Sequence, residues 1–153
     1  MNERINENIN GIACFDKQVI RLKCLDVKKT IEEERKKKFN VAREKQKEKA
    51  KSIREEYYKS WWYKTKLKIG LTKDVNDLND VNVIHFYCEE IYCIANMRLY
   101  FSLIELILAD TDAINYKNDL MNLCDELILT CDALKGDEIW LSSNTLTKLN
   151  EKI

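Results

Sequence analysis

The stretch of sequence between residues 28 and 56 is too polar to fill a protein core. Nineteen of its twenty-nine residues are charged, twelve of them Lys or Arg and seven Asp or Glu. Glu, Lys, Arg and Ala dominate the stretch, and all four favour helix. The sequence contains no proline, so nothing forces such a helix to stop. The stretch therefore predicts a solvated helix that projects from the body and, if it continues to Ile69, extends about 63 Å at 1.5 Å per residue.

Three glycines divide the helical patterns of the chain. Gly11 precedes the first pattern, and Gly70 and Gly136 follow strong ones, as expected where helix ends adopt left-handed geometry. Between residues 12 and 27 large apolar residues recur at steps of three and four, and Asp16 lies near the start of this run. The spacing predicts an amphipathic helix over residues 12–27.

Residues 81–109 form the most hydrophobic segment, which predicts a central helix that other helices surround. Asp110 and Asp112 are expected to end it and to cap a second helix over residues 113–135. A short connection favours antiparallel packing of these two helices. The last stretch, residues 137–149, is ambiguous. It is either a brief extended segment at residues 139–141 with Ser142 or Ser143 capping a last helix, or one helix throughout.

These patterns predict an all-α protein in which a long, highly charged N-terminal helix precedes an antiparallel helical bundle. We expect a basic helical arm with an aromatic cluster over residues 1–73 and an acidic helical bundle over residues 74–153, the two forming one compact unit overall. The formal net charge of zero conceals this division. Residues 1–73 hold 21 Lys or Arg and 11 Asp or Glu, whereas residues 74–153 hold 5 and 15. The two parts therefore carry +10 and −10.

Five aromatic residues lie within the seven positions 57–63, with lysines on both sides. One interpretation is that the aromatic rings dock the long helix onto the rest of the chain, and that the basic segment runs against the acidic part of the same or another copy. A second is nucleic-acid binding, in which Lys and Arg neutralise phosphates and aromatic rings stack on bases. A third, contact with an anionic membrane surface, is less favoured because acidic residues interrupt the apolar face upstream.

We therefore expect a non-enzymatic intracellular adaptor or regulatory protein that binds a macromolecular partner through its basic, aromatic N-terminal half. A protein is the favoured partner, nucleic acid is the alternative, and a homo-oligomer remains open. Poor heptads in the charged helix count against a long coiled coil. The expected partner-binding residues are Lys36, Lys37, Lys38, Arg43, Lys47, Lys51, Arg54, Tyr57, Tyr58, Trp61, Trp62, Lys64, Lys66 and Lys68.

The remaining motifs argue against catalysis and cofactors. Six cysteines without a C-x-x-C pair are expected to be free, buried thiols. A Cys–His nucleophile pair of His85 and Cys88 is formally possible but lacks an orienting group, and a single histidine excludes every metal motif that needs two. The glycine spacing allows no phosphate-binding loop. We expect no metal and no cofactor.

Targeting signals are not evident in the sequence. The longest run without a charged residue or histidine is the nine residues 139–147, too short for a transmembrane helix of about 20 residues. The first eight residues include Glu3 and Glu7 and lack the apolar stretch of a secretory signal. The expected location is the cytoplasm.

Overall fold

The computed structural model describes residues 8–9, 11–92 and 97–151 and is mostly helical. The helices are α1 (Lys17–Lys59), α2 (Trp61–Lys68), α3 (Asp80–Tyr92), α4 (Met97–Ile114), α5 (Asn118–Ala133) and α6 (Ser143–Asn150), with a short 3₁₀ turn at Val75–Asp77. Three strands, β1 (Asn8–Ile9), β2 (Ile12–Asp16) and β3 (Glu138–Ser142), form an antiparallel sheet in the order β1-β2-β3. The predicted helical character is confirmed, and α1 is a long N-terminal helix. It does not project as a solvated helix, however, because it buries Ile31, Ala50 and Ile53. The presence of a sheet corrects the all-α assignment.

The sheet corrects the helix predicted from residue 12. Residues 12–16 are strand β2, in which Ala13 lies opposite Leu141 and Phe15 lies opposite Ile139. Ala13 and Phe15 are buried. The pairing partner, β3, lies more than a hundred residues away, so no local pattern announces it. The apolar residues at positions 12 and 15 are three residues apart, which fits the helical period. The segment is too short for this spacing to distinguish a helix from a strand.

Helix α1 begins where Asp16 caps it and ends before a serine. The Asp16 Oδ1 accepts a hydrogen bond from the Gln18 N–H at 2.8 Å. The predicted continuation to Ile69 is wrong, because Ser60 has extended backbone angles and its Oγ accepts from the Tyr63 N–H, which starts α2. Gly70 follows α2 at φ 76°, as predicted for a helix end.

The hydrophobic segment after Asp80 is two helices rather than the single helix predicted over residues 81–109. Helices α3 and α4 pack against each other, and buried Val83, Cys88 and Leu103 belong to one core. Both helices bury a wide apolar face, so apolar residues continue from one helix into the next. The hydrophobic pattern of the sequence therefore does not show where α3 ends and α4 begins.

The predicted break at Asp110 and Asp112 is also wrong, since both residues lie inside α4. Asp110 instead faces Arg43, with 3.5 Å between the guanidinium and the carboxylate. The break falls later, where Lys117 adopts left-handed geometry at φ 55° before α5. For residues 137–149 the extended alternative is confirmed: β3 is followed by α6, and the Ser142 Oγ accepts from the Thr145 N–H.

The chain divides into two compact units that do not follow its charge division. The described residues up to 35 and from 115 onward make the terminal unit, and residues 36–114 make the central unit. The boundary predicted between residues 73 and 74 follows net charge and therefore differs from these units. The core of the terminal unit joins Phe15 and Cys24 to Leu127. The core of the central unit joins Ile53 and Tyr63 to α3 and α4.

The predicted packing of the two C-terminal helices differs as well. Helix α4 packs with α3 in the central unit, whereas α5 belongs to the terminal unit. Within the described ranges, no helix is both long enough and apolar enough to cross a membrane.

Candidate partner-binding site

All fourteen predicted partner-binding residues lie in the central unit, because the first of them is Lys36. By sequence, residues 36–114 contain 15 Lys or Arg and 12 Asp or Glu, a net charge of +3. The rest of the chain contains 11 and 14, a net charge of −3. The two compact units therefore carry net charges of only +3 and −3, whereas the two parts of the sequence carry +10 and −10.

Ion pairs join the basic and acidic parts of the sequence inside both units. In the terminal unit, Arg21 pairs with Asp132 and Lys28 pairs with Asp125. In the central unit, Arg54 pairs with Asp80 at 3.0 Å. These contacts support the interpretation that the basic segment runs against the acidic part of the same chain.

Arg54 is a packing residue of the central unit. Its guanidinium donates to the carbonyl oxygens of Val75 at 3.3 Å and Leu78 at 2.7 Å, and to the Asp80 carboxylate at 3.0 Å. A guanidinium offers several donors in a planar fork, which suits three acceptors on one segment. Arg54 therefore holds residues 75–80 against α1 and has little capacity left for an external partner.

The aromatic cluster is divided between the core and the surface, and its three tyrosines face inward. The ring of Tyr57 lies 4.8 Å from the ring of Tyr63, and Tyr58 lies 5.6 Å from Tyr63. Tyr63 is buried; its hydroxyl donates to the Lys73 carbonyl and accepts from the Val75 N–H. The docking interpretation is thus supported for these three tyrosines.

The tyrosine hydroxyls are held in their neutral form. A hydrogen bond from Tyr58 to Asp74 raises the pKa of Tyr58 to about 12 and lowers the pKa of Asp74. Burial raises the pKa of Tyr57 and that of Tyr63. Each hydroxyl therefore acts as a hydrogen-bond donor at neutral pH.

The two tryptophans face outward. Trp61 is 74% exposed and Trp62 is 54% exposed, and their rings lie 6.0 Å apart. The Lys66 ammonium lies 5.5 Å from the centre of the Trp62 ring. Sequence reasoning missed a further apolar pair just after α2, Ile69 and Leu71, which are 62% and 70% exposed. Their position next to a helix-ending glycine was the available signal.

We name this exposed region the α2 surface. Between residues 57 and 73 the sequence has five lysines and no acidic residue. The region combines large apolar side chains with surrounding ammonium groups. The residues of the α2 surface are Lys59, Trp61, Trp62, Lys64, Lys68, Ile69, Leu71 and Lys73.

The basic residues predicted on α1 are exposed but belong to a different stretch of the unit. Lys36, Lys37, Lys38, Arg43, Lys47 and Lys51 all have exposed side chains. The Arg43 guanidinium lies over the Phe39 ring at 5.8 Å and near Asp110. These residues lie on α1 between positions 36 and 51, whereas the α2 surface begins at Lys59, the last residue of α1.

The residues considered for catalysis are arranged for packing. Cys88 is buried, and burial raises the pKa of its thiol, whereas His85 is exposed beside Glu89. A nucleophilic cysteine requires the opposite shift. In the part of the chain that the structure describes, no three His, Cys, Asp or Glu side chains are grouped to hold a metal ion.

The cysteines otherwise follow the prediction of buried thiols. The five in the described residues are buried and form no disulfide: Cys14, Cys24, Cys88, Cys124 and Cys131. The Cys14 thiol donates to Glu138 at 3.1 Å across the sheet. Cys93 lies outside the described residues.

Comparison of the chain with models of known protein families, with curated proteins and with solved structures finds no match.

Proposed function

We propose that this protein is a non-enzymatic binding protein that docks a protein partner through the α2 surface. The exposed tryptophan pair carries the proposal. Trp61 and Trp62 expose large rings to solvent, although neighbouring Tyr63 is buried and the half-buried Tyr57 and Tyr58 pack against it. Tryptophan is the residue type most enriched among those that dominate binding energy at protein interfaces.

The chemistry of the surrounding residues specifies the partner. By helical spacing Trp62, Lys66 and Ile69 lie on one face of α2 and its last turn. An apolar centre with a polar rim is typical of protein interfaces. Five lysines and no acidic residue lie in the stretch 57–73, so the complementary surface is apolar at its centre and acidic at its edge. Lysine charges at the rim accelerate association and make it depend on salt.

Binding of nucleic acid is the second candidate. The tilted Trp61–Trp62 pair could stack on bases while the lysines contact phosphates. In that case the affinity would fall steeply with salt, by several powers of ten between low and physiological concentrations. A protein interface with an apolar centre depends on salt much less.

Partner capture from the native host tests the proposal. The full chain and the double variant Trp61→Ala/Trp62→Ala are compared after nuclease treatment, with Trp140→Ala as the matched control. Trp140 is also exposed but lies on β3, in the terminal unit. We expect a stoichiometric protein to be captured by the wild type and the control and to be lost from the double variant.

Two results would count against this function. If the double variant retains the partner, the α2 surface is not the docking site. If capture disappears with nuclease and generic RNA binds the purified chain with a steep salt dependence, the nucleic-acid alternative replaces it. Circular dichroism of each variant verifies that loss of capture is not loss of fold.

A further inference from the structure

A pocket in the central unit has the walls of a site for an organic cation. It lies among the end of α1, helix α2 and helix α3, and has a volume of about 350 Å³. Buried Ile53 and Ile91 contribute to its lining. Four aromatic residues line it as well, namely Tyr57, Trp62, Tyr63 and Tyr87. The size is within the usual range for small-molecule sites, about 300 to 1,000 Å³.

Two carboxylates stand among these rings. Glu56 and Glu90 line the pocket, and the Tyr57 hydroxyl donates to the Glu90 Oε2 at 2.7 Å. Tyr87 lines the same pocket, and its pKa is raised by burial and by the charges of both carboxylates. Among the described residues, neither carboxylate forms a salt bridge.

One ammonium group already occupies part of the aromatic wall. Lys66 lines the pocket, with its Nζ 5.5 Å from the centre of the Trp62 ring. This contact shows that the Trp62 ring accepts a cation in this setting. With Glu56 and Glu90 the charged lining residues sum to −1, so the pocket still attracts positive charge.

We propose that this pocket binds a small organic cation whose head is a quaternary or methylated ammonium group. Aromatic rings attract such a head through their electron-rich faces, and methyl groups add contact with apolar walls. The two carboxylates supply the counter-charge. A hard metal ion is not expected, because Ca²⁺ requires six to eight oxygen ligands. This site goes beyond the proposed docking function and does not depend on it.

Titration of the full-length protein with choline and with 3,3-dimethyl-1-butanol tests the inference. The two probes have the same shape, but only choline carries a charge. We expect choline to bind, by calorimetry and by a shift of the Trp62 indole N–H resonance, and the neutral analogue to bind about ten-fold more weakly or not at all, a difference of the size expected for a desolvated cation–π contact. Equal binding of the two probes, or binding of neither, would overturn the proposal.

Variants locate the effect in the pocket. Glu90→Gln and Glu56→Gln remove charge without changing shape, and each is expected to weaken choline binding several-fold. Glu55→Gln, an exposed neighbour that does not line the pocket, is the matched control and should leave binding unchanged. Equal affinities in all three variants would show that choline binds elsewhere. Trp62 lines the pocket but Trp61 does not, so the single variant Trp61→Ala weakens the docking surface and leaves the pocket lining intact. Loss of partner capture with unchanged choline binding in this variant separates the two proposals.

Discussion

At the scale of single residues, the aromatic cluster shows how one serine divides a sequence between core and surface. Ser60 ends α1 and starts α2, so that Tyr63 is carried inward while Trp61 and Trp62 stay exposed. Helical periodicity over an unbroken helix cannot predict this, because the interruption changes the direction of every side chain after it. The density of aromatic residues between positions 57 and 63 did indicate a region of contact. The tyrosines of this region pack within the central unit, and its tryptophans are exposed.

The packed tyrosines give a prediction for alkaline pH. A pKa raised in the folded state means that the neutral form stabilises the fold below the unfolded pKa of 10.0. This contribution is lost as the pH rises from 10 to about 12, the folded value for Tyr58. We expect the ultraviolet absorbance of tyrosinate to show a late group of tyrosines that ionises together with unfolding. Ionisation of every tyrosine near pH 10 without unfolding would contradict the packing of Tyr57, Tyr58 and Tyr63.

The hydrogen bond between Tyr58 and Asp74 also makes the stability of the fold depend on acidic pH, through the Asp74 carboxylate. The pKa of Asp74 is lowered, chiefly by the Tyr58 hydroxyl, so its stabilising effect is present above the ordinary aspartate pKa of 3.8 and is lost as the pH falls below it. Tyr58→Phe is expected to remove this part of the acid dependence. Chemical unfolding of both proteins across acidic pH measures the difference, and identical pH profiles would show that the bond does not form in solution.

Arg54 and Arg43 make a matched pair of arginines on α1. Arg54 satisfies three acceptors and is three-quarters buried, whereas the Arg43 side chain is 52% exposed. Arg54→Met is expected to lower the free energy of unfolding by about 3 kcal/mol because it removes the donor of the part-buried Leu78 carbonyl and Asp80 carboxylate. Arg43→Met should cost about 1 kcal/mol or less. Urea unfolding compares the two, and equal effects would contradict the packing role of Arg54.

At the scale of helices and strands, local patterns predicted what depends on nearby residues and missed what depends on distant ones. The long charged helix and the helix over residues 118–133 follow from residue types and spacing. Strand β2 could not be predicted, because its pairing with β3 is a contact across the length of the chain. The division between α3 and α4 is hidden for a related reason: both helices bury apolar faces, and the boundary depends on their packing against each other.

The boundary between α1 and α2 depends on the Ser60 hydroxyl, which can be tested directly. Ser60→Ala removes the hydrogen bond to the Tyr63 N–H and is expected to cost about 1 kcal/mol. Ser52→Ala is the control, since Ser52 is exposed inside α1 and alanine is the better helix former there. Thermal unfolding should show a lower midpoint for the first variant only. A higher midpoint for Ser60→Ala would contradict this role, because it would mean that α1 and α2 can merge into one helix with no loss of stability.

At the scale of the whole molecule, folding combines parts of opposite charge. Each unit draws on both sequence halves, as the ion pairs Arg21–Asp132 and Arg54–Asp80 show. The net charges of +10 and −10 are therefore a property of chain order, and the fold reduces them to +3 and −3. The α2 surface nevertheless remains locally basic, because residues 57–73 contain five lysines and no acidic residue.

Division of the chain between residues 73 and 74 tests this arrangement. Both cores contain residues from each side of that point, so neither fragment can form a complete core alone. We expect each fragment to lack cooperative unfolding, and an equimolar mixture to regain helical circular dichroism, less readily at high salt because the fragments attract each other by charge. Cooperative unfolding of the isolated fragment 74–153 would contradict the observed cores.

The most direct test of the docking function is a hydrogen–deuterium exchange footprint of the full chain with its captured partner. The partner is predicted to slow exchange in residues 59–73, where Trp61 and Trp62 are exposed, and to leave β3 around the also exposed Trp140 unchanged. Protection confined to β3 or to the lysines of residues 36–51, with none at residues 59–73, would contradict the account.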